Sequence, residues 1–367
     1  MRCNRLLQKV STKSTNSTIT TLLRRCIHSS NFFLQGSGTS QEAGTNHVAI
    51  IGAPFSGGQP RDGVQHFPTQ FRERGFVDQI RMLHGRKVVD FGDVEIPDYC
   101  NKDPKRTNVD QSGAFLLNAK ACGAVSKRVA SMVESATRRG ATCVTLGGDH
   151  SIATGSIAGH VRSRPDLCLI WVDAHNDLNC PFTTPSGNIH GMALSFLVKG
   201  RGGADDKMTT IPGYEWATPC LDPRRDIVFV GSRDADDKEY EHIAQLGIPM
   251  FSMKDIDSHG IAHVMKEAVK TVNPGLDRPM HVSYDVDSLD PVHVPGTGTP
   301  VPGGLSLREG VFIGEYLSGL GLLKGVDIVE VNTQLCGTEL EKETTIRSSM
   351  AVLHACLGWD RPRSTAV

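Results

Sequence analysis

Three short apolar runs, at residues 143–146, 167–172 and 281–284, each lead straight into histidine or aspartate, and this repeated junction limits the folds open to the chain. The runs are rich in β-branched residues and show no helical period, so they read as buried parallel strands. Asp173, His175 and Asp177 follow the second run at alternate positions, and alternate side chains of an extended chain share one face. Gly147-Gly148-Asp149-His150 follows the first run, and Asp285-Val286-Asp287 the third. A polar loop would explain one such stretch; three strand ends carrying ligand-type side chains point to a common cation. In open α/β sheets, ligands bind at the carboxyl ends of the strands.

The ligand set predicted from this pattern is His150, Asp173, His175, Asp177, Asp285 and Asp287, with Asp149 beside it as a hydrogen-bonding support. Oxygen-rich sets with imidazole and no thiolate suit Mn²⁺, with Fe²⁺, Co²⁺ or Zn²⁺ as alternatives, and argue against Cu(I) or a structural zinc site. Four carboxylates are too many for one divalent ion. Two ions balance them, and paired ions of this kind turn water into a nucleophile near neutral pH.

The motifs G-G-D-H-S (147–151), D-A-H-x-D (173–177) and D-x-D-x-L-D-P (285–291) resemble, in this order, those of the ureohydrolases, most closely the arginases. The likeness runs from about His47 to Arg361. It implies a binuclear manganese hydrolase that converts L-arginine and water to L-ornithine and urea, a bridging hydroxide attacking the guanidinium carbon. The matching positions imply the six ligands above, with Asp177 also passing a proton to the leaving nitrogen. They imply His190, in S-G-N-x-H-G, as a proton shuttle; the residue type fits, since histidine changes charge near neutral pH. They imply Glu330 in E-V-N as the carboxylate that pairs with the guanidinium, and Thr299 beside it. Asn179, Thr184, Ser186 and Asn188 match contacts to the substrate α-carboxylate, while Asp234, Asp236 and Glu239 match acidic positions on the α-amino side. Asp234 and its neighbours also read as acids at a helix start, where the helix dipole favours them.

Four residues depart from the family pattern without removing a ligand: Asn176, Met192, Ser288 and Thr333. The loop 52–64, Gly-rich but lacking any phosphate-binding spacing, resembles the segment that shapes the rim of the arginase site. Agmatinases, guanidinobutyrases and formiminoglutamases share the metal motifs. The N-x-P-x-T-T-x-S-G-N-x-H pattern at 179–190 separates them, because it suits a substrate with an α-amino acid end. The further alternative, a non-catalytic metal-binding scaffold, does not explain why the shuttle and guanidinium positions are filled.

Strands are expected at His47–Gly52, 87–94, 141–147, 167–173, 226–231, 249–253, 281–285 and 325–331. The clearest amphipathic helices lie at Ala119–Arg138, 239–246, Ile261–Val272 and 345–357. Alternation of this kind predicts an α/β fold: three αβα layers around a mostly parallel eight-stranded sheet, as in arginases. Residues 46–361 read as one domain, followed by a short tail at 362–367.

Residues 1–41 differ in kind. They hold Arg2, Arg5, Lys9, Lys13, Arg24 and Arg25, no acid, and many Ser and Thr. This is the composition of a mitochondrial presequence or of a disordered basic tail. The expected location is therefore the mitochondrial matrix, with the cytoplasm as the alternative. The apolar runs are too short to span a membrane. Losing those six cations takes the formal net charge from −1 to −7, which leaves no electrostatic case for nucleic acid. The ten cysteines include no C-x-x-C pair, which fits a reducing compartment. Arginases resembling this chain are commonly trimers, and Arg308, Glu309 and Arg361 match interface positions, so a homotrimer is expected.

Overall fold

In the computed structural model the eight expected strands pair into one sheet, every neighbour parallel. The structure describes residues 47–101, 106–108, 115–200, 208 and 210–362; the basic segment 1–41 and the end of the tail lie outside them. From Gly44 onward the chain forms one compact unit. The strands are β1 (His47–Gly52), β2 (Lys87–Asp93), β3 (Arg106–Asn108), β4 (Phe115–Leu117), β5 (Thr142–Leu146), β6 (Cys168–Val172), β7 (Ile227–Ser232), β8 (Met250–Ser252), β9 (Met280–Asp285) and β10 (Leu323–Val329). Helices α1 (Phe67–Glu73), α2 (Phe76–His84), α3 (Ala119–Arg138), α4 (Ala153–Ser163), α5 (Asp237–Leu246), α6 (Met253–His259), α7 (Ile261–Val272), α8 (Leu307–Gly319) and α9 (Glu339–Cys356) intervene. The sheet order is β2-β1-β5-β10-β9-β6-β7-β8, with β3 and β4 apart as an antiparallel pair.

Successive strand residues enter opposite layers, as the two-residue period requires. Ile50, Val144, Ile170, Val282 and Val326 pack with Ile80, Met265, Ile313 and Val352 of α2, α7, α8 and α9. Ala49, Ile51 and Cys143 face Val125 and Val129 of α3, while Leu169, Trp171 and Phe229 face Ile157 of α4 and Ile243 of α5. Both faces of the sheet are thus covered, as parallel sheets require. Helix α4 is buried on all sides from Ala153 to His160, so it carries no polar stripe and shows no amphipathic period in the sequence. It lies close against α3 at Gly155 and Gly159, where a Cβ would come within 2.2 and 2.3 Å of the carbonyl oxygens of Ser126 and Ala130. Helix α9 starts well before residue 345, because Thr338 and Glu341 close a capping box.

Two side chains expected at a subunit interface are engaged within the chain. Glu309 closes a capping box with Ser306 at the start of α8. Arg361 grips Glu315 with two N–H···O bonds of 2.7 and 2.6 Å. Arg308 is exposed.

Candidate metal centre and substrate cleft

The central strands β5, β10, β9 and β6 end side by side, and all six expected ligands lie at the end of β5, β6 or β9. The local cause is a repeated turn. Asp149 accepts from Ser151 N (3.0 Å), Asp173 from His175 N (2.8 Å) and Asp285 from Asp287 N (2.9 Å). In each, an aspartate at or just past a strand end folds its carboxylate onto the amide two residues on and turns the chain.

His150 Nδ1 is surrounded by Asp177 Oδ2 (3.0 Å), Asp173 Oδ2 (3.1 Å) and Asp285 Oδ2 (3.2 Å). It is buried, yet makes no hydrogen bond. His175 Nδ1 lies 3.2 Å from Asp287 Oδ2 and 3.4 Å from Asp173 Oδ1. Ligand atoms of His150, Asp173 and Asp177 form one group within 4.8 Å, and those of Asp173, His175 and Asp287 form another. Asp173 belongs to both, one oxygen facing each side. An orphaned imidazole nitrogen among carboxylates, next to a second histidine–carboxylate group that shares Asp173, fits a pair of divalent ions.

The charges give the same picture. Burial and the neighbouring Asp173 carboxylate raise the Asp177 pKa; burial and Asp287 do so for Asp285. His150 and His175 are raised instead: burial opposes their protonation, and the facing carboxylates overcome it. A cluster this dense in carboxylate holds protons unless cations replace them.

Glu330 follows β10 on a left-handed backbone, φ 61°, and Asp177 has φ 49°; two of the four non-glycine residues of positive φ among the described residues are therefore in this site. Backbone held there costs free energy and aims a side chain where an ordinary loop would not. Glu330 Oε1 accepts from His150 N (2.9 Å) and faces His190 Nδ1 (3.1 Å), while Oε2 is buried without a partner. Burial lowers the His190 pKa, but the Glu330 bond outweighs it and raises the ring to about 9. The loop expected at the rim sits behind these groups. Gly58 N donates to Asp149 Oδ2 (2.8 Å), and Gly58 O accepts from His190 N (3.0 Å). Gly148 has no room for a side chain, since a Cβ would lie 1.7 Å from Phe55 O.

Above the ligands opens a cleft of about 290 Å³ lined by His175, Asp177, His190, Asp285 and Thr299, and by every residue expected to hold the amino-acid end: Asn179, Thr184, Ser186, Asn188, Asp234, Asp236 and Glu239. Asn179 donates to Asp236 Oδ2 (3.0 Å), and Glu239 accepts from Leu178 N (2.7 Å). Burial pushes the Glu239 carboxyl up to about 8. Thr299 donates to Asp287 Oδ2 (2.9 Å).

Three of the four departures have a clear role. Asn176 accepts from Ser232 (2.9 Å), Ser288 donates to Asp285 O (2.7 Å) and Thr333 pairs with Gln70 (2.9 Å). Met192 simply packs in the core. Sequence reasoning missed three supports. Trp171 donates to Asp173 Oδ2 (3.0 Å) and stacks on His150, ring centroids 4.1 Å apart. Arg233 reaches the carbonyls of Asp287 and Val301, both at 2.7 Å. Ser283 meets His150 Nε2 at 3.0 Å. Asp327, a charge inside an apolar strand, was the signal available for that last group.

The sequence model of the arginase family matches residues 46–358. Arginase-1 of Mus musculus is 45% identical over 314 residues, 86% of this chain and 93% of that protein. A Xenopus laevis protein named arginase, non-hepatic 3, is 44% identical over 88% of this chain and 86% of its own length. The solved arginase of Bacillus caldovelox superposes with a TM-score of 0.74 at 34% identity, over 86% of this chain and 99% of that one. The fold, the three strand-end turns and these likenesses agree, and the chain belongs to the arginase family.

Proposed function

We propose that the protein hydrolyses L-arginine to L-ornithine and urea with two Mn²⁺ ions. The observation that carries the reading is the pair of ligand groups sharing Asp173 under a cleft of neutral donors and acids. His150, Asp173, Asp177 and Asp285 would hold one ion; Asp173, His175 and Asp287 the other. Two such ions, when bound, would acidify water and so supply a nucleophile for the guanidinium carbon.

The chain's own groups divide the remaining work. Glu330 Oε2, buried and unpartnered, accepts from a guanidinium N–H. Thr299, beside Asp287, flanks the same end. Asp177 takes a proton and passes it to the leaving nitrogen. His190, with Nδ1 on Glu330 and its side chain 18% exposed, exchanges a proton with solvent through Nε2. Asn179, Thr184, Ser186 and Asn188 bind the α-carboxylate; Asp234, Asp236 and Glu239 serve the α-ammonium side. Such a rim favours arginine over agmatine, which lacks the carboxylate.

Two further parts belong to this reading. Residues 1–41 direct the chain to the mitochondrial matrix, leaving 46–361 as the catalytic domain. The enzyme works as a homotrimer through the face bearing Arg308. Urea release from L-arginine, with agmatine in a parallel reaction, tests the activity: comparable rates on both would move the protein to the agmatinase type, and no urea from either would refute hydrolysis.

A further inference from the structure

Below the ligands, away from the cleft, lies a chain of buried polar side chains that the reaction does not use: Ser156 and His160 on α4, His281 and Ser283 on β9, and Asp327 on β10. Their hydrogen bonds run in one consistent direction. His150 turns Nδ1 to the carboxylates, so its proton belongs on Nε2, 3.0 Å from Ser283 Oγ. Ser283 accepts that proton's bond and donates its own hydroxyl to Asp327 Oδ2 at 3.1 Å. The same oxygen accepts from Ser156 at 2.5 Å and from His281 Nε2 at 2.9 Å. His281 Nδ1 is then bare and accepts from His160 Nδ1 at 3.0 Å. His160 Nε2 remains buried without a partner, as a neutral ring allows. Burial and the neighbouring His281 hold the His160 pKa well below its ordinary value. Burial alone would raise the Asp327 pKa, but His281 and the hydroxyl donors hold it low, so the sink of the chain is an ionised carboxylate. The two rings meet where β10 carries Gly325; a Cβ there would lie 2.4 Å from His281 Nδ1 and 2.6 Å from His160 Nδ1.

We propose that Asp327, acting through Ser283, is a positioning residue that keeps His150 Nδ1 bare and thereby sets the cation affinity of the His150 side of the site. A serine hydroxyl has one proton. While Asp327 accepts it, Ser283 can only accept from His150 Nε2. Without the carboxylate, the hydroxyl is free to donate to Nε2, which moves the imidazole proton to Nδ1 and against the cation. A second partner that fixes the tautomer in this way governs metal affinity. The inference rests on the two-ion reading above.

The test uses full-length protein stripped with a chelator and titrated with Mn²⁺ by equilibrium dialysis and electron paramagnetic resonance. Wild type taking up fewer than two ions would overturn the two-ion reading itself. With two ions in wild type, Ser283→Ala and Asp327→Asn should weaken one ion about 10- to 100-fold and leave the other nearly unchanged. At intermediate Mn²⁺ the spectrum should then show an isolated ion in place of a coupled pair. Ser156→Ala removes a donor to the same carboxylate on the far side from His150, and measures the purely structural cost as a lower melting temperature. Wild-type affinity at both positions in Ser283→Ala, or equal weakening of both, would overturn the positioning role. Should Asp327→Asn not fold, Ser283→Ala decides alone, since it deletes only a hydroxyl.

Discussion

Glu330→Gln is the substitution whose outcome follows most directly from the geometry. Both bonds that hold this side chain use Oε1, which accepts from His150 N and faces His190. An amide oxygen can take that place, so the chain should still fold, at a cost of roughly 1.5–3 kcal/mol for the lost charge on the His190 side. The altered atom is Oε2, the buried oxygen without a partner. In the variant an N–H group faces the guanidinium N–H, and a charge-assisted bond is lost. Such bonds contribute roughly 1.5–3 kcal/mol, and about 1.4 kcal/mol is tenfold, so kcat/KM for L-arginine should fall about 10- to 150-fold. There is a second signature. The Glu330 carboxylate raises the His190 pKa to about 9, so neutralising it lets that pKa drop, and the limb of the pH–rate profile owed to His190 should move to lower pH. The assay is urea release across pH, with metal content measured on the same samples. A kcat/KM within twofold of wild type, with both ions in place, would refute the role given to Oε2. Loss of metal would show that Glu330 supports the ligands rather than the substrate.

Other perturbations separate the parts of the site. His190→Ala should keep both ions and lower kcat more than it raises KM, with partial rescue by added imidazole; loss of metal would end the shuttle assignment. Asp287→Asn should cost the ion on the His175 side and Asp177→Asn the one on the His150 side, read by elemental analysis; full activity with one tightly held ion would contradict both. Arg278→Met tests the scaffold alone, because this guanidinium donates to the carbonyls of Asp166, Arg225, Val272 and Leu167 and pairs with buried Asp226 at the far end of the strands. Breaking such a buried pair costs about 3–5 kcal/mol, so the urea midpoint should drop with the m-value and metal content unchanged; an unshifted midpoint would refute the reasoning. Arg361→Ala should loosen the C-terminal end, where Arg361 grips Glu315, and with it the proposed trimer; sedimentation showing a monomeric wild type at micromolar concentration would remove the trimer.

The strands were legible because a parallel sheet covered on both faces needs unbroken apolar runs, and such runs stand out beside polar loops. The ligand-bearing turns were legible for a related reason: aspartate two residues before a free amide makes the same bend wherever a strand stops. Helix α4 was not, because burial on every side erases the amphipathic period. Nor was the Asp327 chain, whose members lie on three elements and contact each other only once β9 and β10 are paired. The unpartnered oxygen of Glu330 and the left-handed backbone at Asp177 are likewise properties of the folded chain, invisible to residue spacing.

The sheet order has a consequence for how the molecule comes into being. Strand β10, the last of the sheet to leave the ribosome, is not an edge but the seam between β2-β1-β5 on one side and β9-β6-β7-β8 on the other. Until residues 323–329 are made, β5 and β9 lack the strand that pairs with both in the finished sheet, and unpaired edges of this kind invite mispairing. His150 stands on one half and the Asp173–Asp177 and Asp285–Asp287 turns on the other, so β10 brings the halves of the ion site together as it inserts. Capture of manganese by arrested chains of increasing length should therefore switch on abruptly when that strand clears the exit tunnel, making the ion a reporter of the final pairing event.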